Sequence, residues 1–267
     1  VETGLTTAAS SLGKVDWSAP WLADFRQVAE PIVQAADWRA ALNAAAQALE
    51  LRNYRDLPLC FIAQEELPSG MAYEEFIGVS GCVPTRSNLH DFFNALMWLT
   101  YPQIKIQLNA LQAAEILKSG IVRGRVRDGA TIFDENAALF ICADGAMADA
   151  LRAHRWRDLF VAGRTGFERT CTVRLFGHAL MDKLTMPYKA ITAHAWVVEV
   201  EPAFFGLPAL QQRSALDRIV GAQLAMGLTT ANFSPLPVFG IPGWWPQQDE
   251  AFYEDAFVFR PKRLGHL

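Results

Sequence analysis

Residues 85–109 read TRSNLHDFFNALMWLTYPQIKIQLN, and the fold is read outward from them. The first half predicts a helix that is apolar on every side. Ser87 or Asn88 offers the cap, and Phe92, Phe93, Leu96, Met97, Trp98 and Leu99 supply the packing surface. Such a helix belongs in the middle of a core. Into it are set His90, Asp91 and Asn94, with Asn94 four residues from His90 and three from Asp91, so that all three crowd one side. A buried polar group without a partner costs about 1–3 kcal/mol, so this cluster requires a specific partner set and marks a site. His90 and Asp91 are adjacent and point about 100° apart on a helix. If only one reaches a pocket, His90 is expected to, leaving Asp91 to anchor a backbone amide or an arginine. Tyr101-Pro102 breaks the helix, and a second is expected over 103–119, ended by Gly120. In that second helix Lys105 reads as a surface residue unless its head turns back toward Asp91.

Upstream, residues 1–14 are small and polar and read as a flexible tail, with Trp17, Pro20 and Trp21 beginning the packed protein. Helices are expected over 20–36 and 37–52, the second capped by Asp37. Residues 53–70 carry Leu-Pro and Ser-Gly turn signals and read as a connection, followed by a short helix over 73–79. Downstream, residues 120–143 contain Asp-Gly and Asp-Glu-Asn between short β-type runs and predict a hairpin, with Arg123, Arg125 and Arg127 on one face. Helices follow over 145–161, 178–185 and 208–226, and strands over 169–176 and 191–200. The run PLPVFGIPGWWP is too rich in proline and glycine for regular structure, and a last strand is expected near 257–259. The sum is one compact α+β domain over residues 15–267, helical in its N-terminal half and mixed strand and helix in its C-terminal half.

The chain has 267 residues, 51% hydrophobic and 19% charged, which provides for a sizeable core and excludes a disordered chain. A net charge of −4 gives no reason to expect a nucleic-acid partner. No run of 18 apolar residues is present, so no membrane partner is expected, and no basic-then-apolar leader is visible at the N-terminus. Cys60, Cys82, Cys142 and Cys171 are widely spaced and form no CxxC pair. They read as reduced thiols of a cytoplasmic protein rather than as a disulfide framework or a structural zinc site.

The His90-Asp91 doublet invites comparison with HD-type metal phosphohydrolases. Those need a histidine upstream of the doublet, and His90 is the first in the chain. A different divalent-metal set is available: His178 and Asp182 lie four apart on a short helix, and His194 follows in a strand. Against it, His178 serves equally as a helix cap, Asp182 as a partner of Lys183, and His194 as a core residue. Arg86, Arg123, Arg125, Arg127, Lys183 and Lys189 are candidates for holding an anion, with salt bridges to Asp128, Asp134 and Glu135 as the structural alternative. Trp244 and Trp245 either wall a pocket or plug the core. No phosphate-binding glycine loop and no GxSxG are present. Cys82, at a turn near Arg86 and His90, is the weaker nucleophile candidate.

Several blocks together resemble a known family. VPTRSNLHDFFNALMWL with PQIKIQLN, RDGATIFDEN, GHALMDKL with PYKAITAHA, and PLPVFGIPGWW with FRP are similar to a bacterial family catalogued as domain of unknown function 3025, over about residues 57–263. One departure stands out: the family more often has glutamate where this chain has Asp182, a shorter carboxylate. The resemblance implies no reaction. It does place its recognisable blocks at polar, turn-rich segments, which suits a site.

The expected function is therefore a small-molecule enzyme, hydrolase-like, with His90, Asp91 and His178 as catalytic residues. Arg86, Asn94, Arg123, Arg127, Lys189 and Trp244 would hold an anionic substrate, and His178, Asp182 and His194 a divalent metal. The alternatives are a non-catalytic binding protein for an acidic metabolite, recognised by converging arginines without a base, and a partner-binding scaffold, recognised by exposed Trp244 and Trp245.

Overall fold

Asn88 takes extended backbone (φ −143°, ψ 167°), and its side-chain oxygen accepts the Asp91 amide at 2.8 Å. That cap starts the central helix where the sequence places it. The computed structural model describes residues 12–119 and 124–262. In chain order these form α1 (Arg26–Val33), α2 (Trp38–Ala48), β1 (Cys60–Ala63), α3 (Tyr73–Ser80), β2 (Cys82–Thr85), α4 (Leu89–Thr100), α5 (Pro102–Ser119), α6 (Arg125–Asn136), β3 (Ala137–Cys142), α7 (Gly145–Arg152), β4 (Cys171–Leu175), α8 (His178–Lys183), β5 (Thr192–Glu199), α9 (Ala209–Ala225), β6 (Ser234–Pro237) and α10 (Glu250–Tyr253). The architecture is α+β.

Every residue of α4 from Asp91 to Thr100 is buried. Phe92 sits edge-on to Trp17 and Trp38, with ring centroids 6.3 and 5.7 Å away, which fastens the N-terminal segment to the central helix. Replacing Asn88 by Ala removes the cap and should cost about 0.5–2 kcal/mol. Urea unfolding measures this, and an unchanged midpoint would mean the cap is idle.

The next helix, α5, opens with Pro102, whose missing N–H costs nothing at that position. Its next two amides, Gln103 and Ile104, are taken at 3.0 Å each by the two oxygens of Asp217, which arrives from α9. This cap across the chain holds α5 at a fixed height beside α4.

The larger sheet has the order β4-β3-β5-β6, with β3 parallel to β5 and the outer pairings antiparallel. All six residues of β3 are buried. β1 and β2 form a separate parallel pair, inside a region the sequence marks partly as connection, and Cys60 and Cys82 face each other across it as free thiols with sulfurs 3.1 Å apart.

Several expectations are corrected. Residues 125–136 are helix, not half of a hairpin. Gly129 is there because a Cβ would stand 3.1 Å from the Thr229 carbonyl carbon; the position needs close approach, not a turn. On a helix Arg125 and Arg127 point about 200° apart and share no face; Arg123 lies outside the described residues. Pro235 and Pro237 do sit in a strand, β6, because it is an edge strand, where a missing donor is tolerated. Residues 257–259 are not a strand: the Asp255 backbone and side chain collect the Phe257, Val258 and Phe259 amides into a turn. The helix expected over 145–161 is interrupted: it stops at Arg152, His154 takes the left-handed region (φ 54°), and helical turns resume as far as Ala162. The helix expected over 20–36 is a short turn at Pro20–Leu22 followed by α1. Leu12 is already buried in the core, ahead of the boundary expected at residue 15, and residues 1–11 lie outside the described residues.

Candidate functional site

Three helix ends meet at one point. His90 comes from the first turn of α4, Asp134 and Glu135 from the last turn of α6, and His178 opens α8. The junction is set by Gly177. Its amide and that of Phe176 both donate to the Ala137 carbonyl, and a Cβ on it would stand 2.5 Å from the nitrogen and Cα of Asn136 and from the Glu135 carbonyl oxygen. Only glycine lets the two backbones touch, and that contact delivers His178 beside Glu135.

The ends surround a cavity of about 340 Å³, walled by Gln64, Leu67, Tyr73, Glu74, Arg86, His90, Asp91, Asn94, Gln112, Thr131, Asp134, Glu135 and His178. This suits a small metabolite. The His90 and His178 rings stand 4.5 Å apart, centroid to centroid, in an edge-on arrangement. His178 Nε2 is 3.4 Å from Glu135 Oε2, and His90 Nε2 is 4.0 Å from the same oxygen. One ring nitrogen from each histidine and one Glu135 oxygen all lie within 4.8 Å of one another, a spacing that can hold a metal ion.

Behind this face lies a buried ion pair. The Lys105 ammonium donates to Asp134 Oδ1 and Oδ2 at 2.7 and 2.9 Å and to Asn94 Oδ1 at 2.8 Å, so its three protons are all taken. Lys105 is 3% exposed. Asn94 passes the arrangement on by donating to the Tyr73 hydroxyl at 3.0 Å. Glu74, partly buried, accepts from Asn109 at 2.7 Å. At the mouth Asp91 accepts the Arg86 amide (2.7 Å), Nε (3.1 Å) and Nη2 (3.1 Å). Asp91 therefore anchors both a backbone amide and an arginine.

Burial sets the protonation of these groups. It pushes His178 down to about 4, with Lys105 and His90 adding to the push and Asp134 opposing it. It raises the Glu135 carboxyl against the pull of His90, and raises Glu74 against Lys105. Tyr73 rises well above the ordinary phenol value through burial and the nearby Glu74, so it stays a proton donor. Burial also presses Asp134 upward, but Lys105 and His178 together hold it below the ordinary carboxylate value.

A pH dependence follows. The unfolded chain takes up a proton on His178 near pH 6.5, and the folded chain only near 4. The unfolded state thus binds more protons in that window, and stability falls on acidification. At 1.36 kcal/mol per unit the loss is about 3 kcal/mol between pH 6.5 and 4. Urea unfolding across this range should show the slope in the native protein and a much flatter one in His178→Gln; parallel slopes would contradict it.

Of the residues singled out in the sequence, His90, Asp91, His178, Arg86 and Asn94 line the cavity. The others do not. Lys189 pairs with Asp255 at 2.8 Å over the Phe252 ring. Trp244 is buried against Trp21 and plugs the core. Arg127 stands on α6 off the cavity wall, and Arg123 is outside the described residues. His194 Nδ1 faces the Asn136 amide nitrogen at 2.8 Å. Neither His194 nor Asp182 joins the group with metal-binding spacing, whose carboxylate is Glu135 instead. By sequence Asp134 and Glu135 belong to a turn and are salt-bridge partners for the arginines, and Lys105 is surface unless its head turns toward Asp91; the head turns inward, to Asp134 and Asn94. One signal was present: Val126, Ala130, Phe133 and Ala137 recur at helical spacing and put Asp134 on the buried side.

A family model described as protein of unknown function (DUF3025) matches residues 59–263, and the chain belongs to that family. No curated protein and no solved structure matches it. Among the described residues no helix is long and apolar enough to cross a membrane.

Proposed function

We propose that this member of the DUF3025 family is a small-molecule hydrolase of the bacterial cytoplasm, with the cavity between α4, α6 and α8 as its active site. One observation carries the reading. His90, Glu135 and His178 meet on the wall of a 340 Å³ cavity, the two rings edge-on, and a Lys105–Asp134 pair with all three ammonium protons taken braces them from behind. A purely structural network of buried charges gains nothing from a cavity, because open space beside it withholds partners.

The roles follow from hydrogen-bond accounting. His90, about one-third exposed, is the group placed to exchange protons with a water in the cavity. His178 and Glu135 hold that water. The Tyr73 oxygen accepts from Asn94, which leaves its own proton for a substrate oxygen. Arg86 uses its backbone amide, Nε and Nη2 on Asp91, so Nη1 remains to hold an acidic group at the mouth. Asp91 is a positioning residue in this scheme.

The test is a panel of small ester, amide and phosphoester substrates. Glu135→Gln and His90→Ala should each lower kcat/KM by at least about 100-fold while melting like the native protein. Turnover unchanged in both variants, or absent throughout the panel, overturns the reading. A retained small molecule seen by native mass spectrometry without any turnover would replace it with non-catalytic binding of an acidic metabolite.

A further inference from the structure

We propose that His90, Glu135 and His178 bind a divalent transition-metal ion, which activates the water at this site. The inference deepens the hydrolase reading and rests on it only for the role of the water.

The first argument is a proton count at His178. The ring is 5% exposed and stands between two carboxylates: Nδ1 is 3.8 Å from Asp134 Oδ1, and Nε2 is 3.4 Å from Glu135 Oε2. An imidazole able to ligate has a single N–H to offer these two acidic neighbours. Whichever nitrogen holds it, the other directs a lone pair at a carboxylate. No side chain accepts from Nδ1, whose polar neighbours are the Asp134 carboxylate and backbone. With its proton on Nδ1, toward the Lys105-held Asp134, the Nε2 lone pair faces Glu135, and a cation between them turns a repulsion into two bonds. A carboxylate behind the non-ligating nitrogen is the usual support of a metal-bound histidine.

The distances agree. Ligands about 2.0–2.1 Å from a tetrahedral ion stand about 3.3–3.4 Å apart. His178 Nε2 and Glu135 Oε2 are already at 3.4 Å, and His90 Nε2, 4.0 Å from the same oxygen, needs only a small shift of a side chain about one-third exposed. Two imidazoles and one carboxylate favour Zn²⁺ or Fe²⁺ over Mg²⁺ or Ca²⁺, which prefer oxygen. Three protein ligands leave a coordination position for water on the cavity side.

Glu74, Asp91, Asp134 and Glu135 line the cavity, with Arg86 on its wall, Lys105 behind it, and Arg127 and Lys183 acting on Glu74 and Glu135. Among the described residues Glu135 faces both histidines with no lysine or arginine bonded to it. The competing solution is proton uptake by the two glutamates, and it predicts no metal.

The experiment uses the full chain purified without an affinity tag. Plasma mass spectrometry should find about one transition-metal ion per chain, and chelator-treated protein titrated with Zn²⁺ by calorimetry should take up about one equivalent. His90→Ala and Glu135→Gln, at partly exposed side chains and checked for native circular dichroism, should each weaken Zn²⁺ binding by at least about 100-fold. Asp182→Asn and His194→Asn should leave it within about twofold, since neither residue is a ligand here. Absence of saturable Zn²⁺ or Fe²⁺ uptake, binding that survives both ligand variants, or equal loss in Asp182→Asn or His194→Asn overturns the proposal. The two readings fail separately. Stoichiometric metal without turnover sinks the hydrolase and keeps the metal site; turnover that needs Glu135 in metal-free protein does the reverse.

Discussion

Lys105→Met is expected to cost about 3–5 kcal/mol of folding stability, although the substitution adds an apolar side chain to a buried place. The loss comes from what stays behind. Asp134 keeps a charge that burial opposes and loses both bonds at 2.7 and 2.9 Å, and Asn94 Oδ1 loses its donor. An orphaned buried charge is far costlier than the absence of the pair. Lys105→Met/Asp134→Leu should therefore recover most of the loss, because apolar groups of similar volume can replace both partners. Lys105→Arg should not restore it, since a planar fork cannot address three acceptors arranged around one point. Guanidinium unfolding of the native protein, Lys105→Met, Asp134→Leu and the double variant closes the cycle, with Lys105→Arg measured beside it. A single-variant loss below about 1 kcal/mol would mean that water reaches the pair. Catalysis should not return with stability, because the double variant leaves His178 Nδ1 with no carboxylate to face. That split separates the brace from the site it serves.

Much of the fold was open to sequence reading because its signals are local. Asn88 caps, α4 is apolar all round, Pro102 resets the chain, and β5 is rich in apolar, β-branched and aromatic residues. The convergence of His90 with His178 was also legible, since both begin elements next to turn residues. What the sequence hid depends on partners far along the chain. Asp-Gly at 128–129 signals a turn by the ordinary rule, and nothing local says that Thr229 will press on that glycine. Once 125–136 is misread as a hairpin, Asp134 and Glu135 become turn residues and the third ligand is lost. Lys105 sits on a helix whose apolar stripe can be drawn without it, and only Asp134, 29 residues on, makes it interior. Asp182 was attractive at four residues from His178, yet the partner brought alongside comes from another helix. Spacing within a helix finds ligands on one face; it is blind to those supplied across a junction.

That junction carries the other large effect. Gly177→Ala should lower stability by about 1–3 kcal/mol or more, the cost of forcing a methylene into a packed place, here against backbone that has no rotamer with which to yield. The added Cβ would stand 2.5 Å from three backbone atoms of Glu135 and Asn136, so α8 and the end of α6 must separate by close to 1 Å. His178 rides on α8 and Glu135 on α6, and their 3.4 Å spacing widens with it. A displacement of that size can cost about 100-fold in rate without removing any functional group. Gly240→Ala is the control: its Cβ would stand 2.5 Å from the Phe160 ring, a comparable clash that neither α6 nor α8 shares. At temperatures where both variants remain folded, Gly177→Ala should lose turnover and Zn²⁺ binding while Gly240→Ala keeps both. Equal losses in the two would reduce Gly177 to a packing position. Loss confined to Gly177→Ala would make the backbone contact after β4 the feature that sets the ligand geometry, with the side chains following from it.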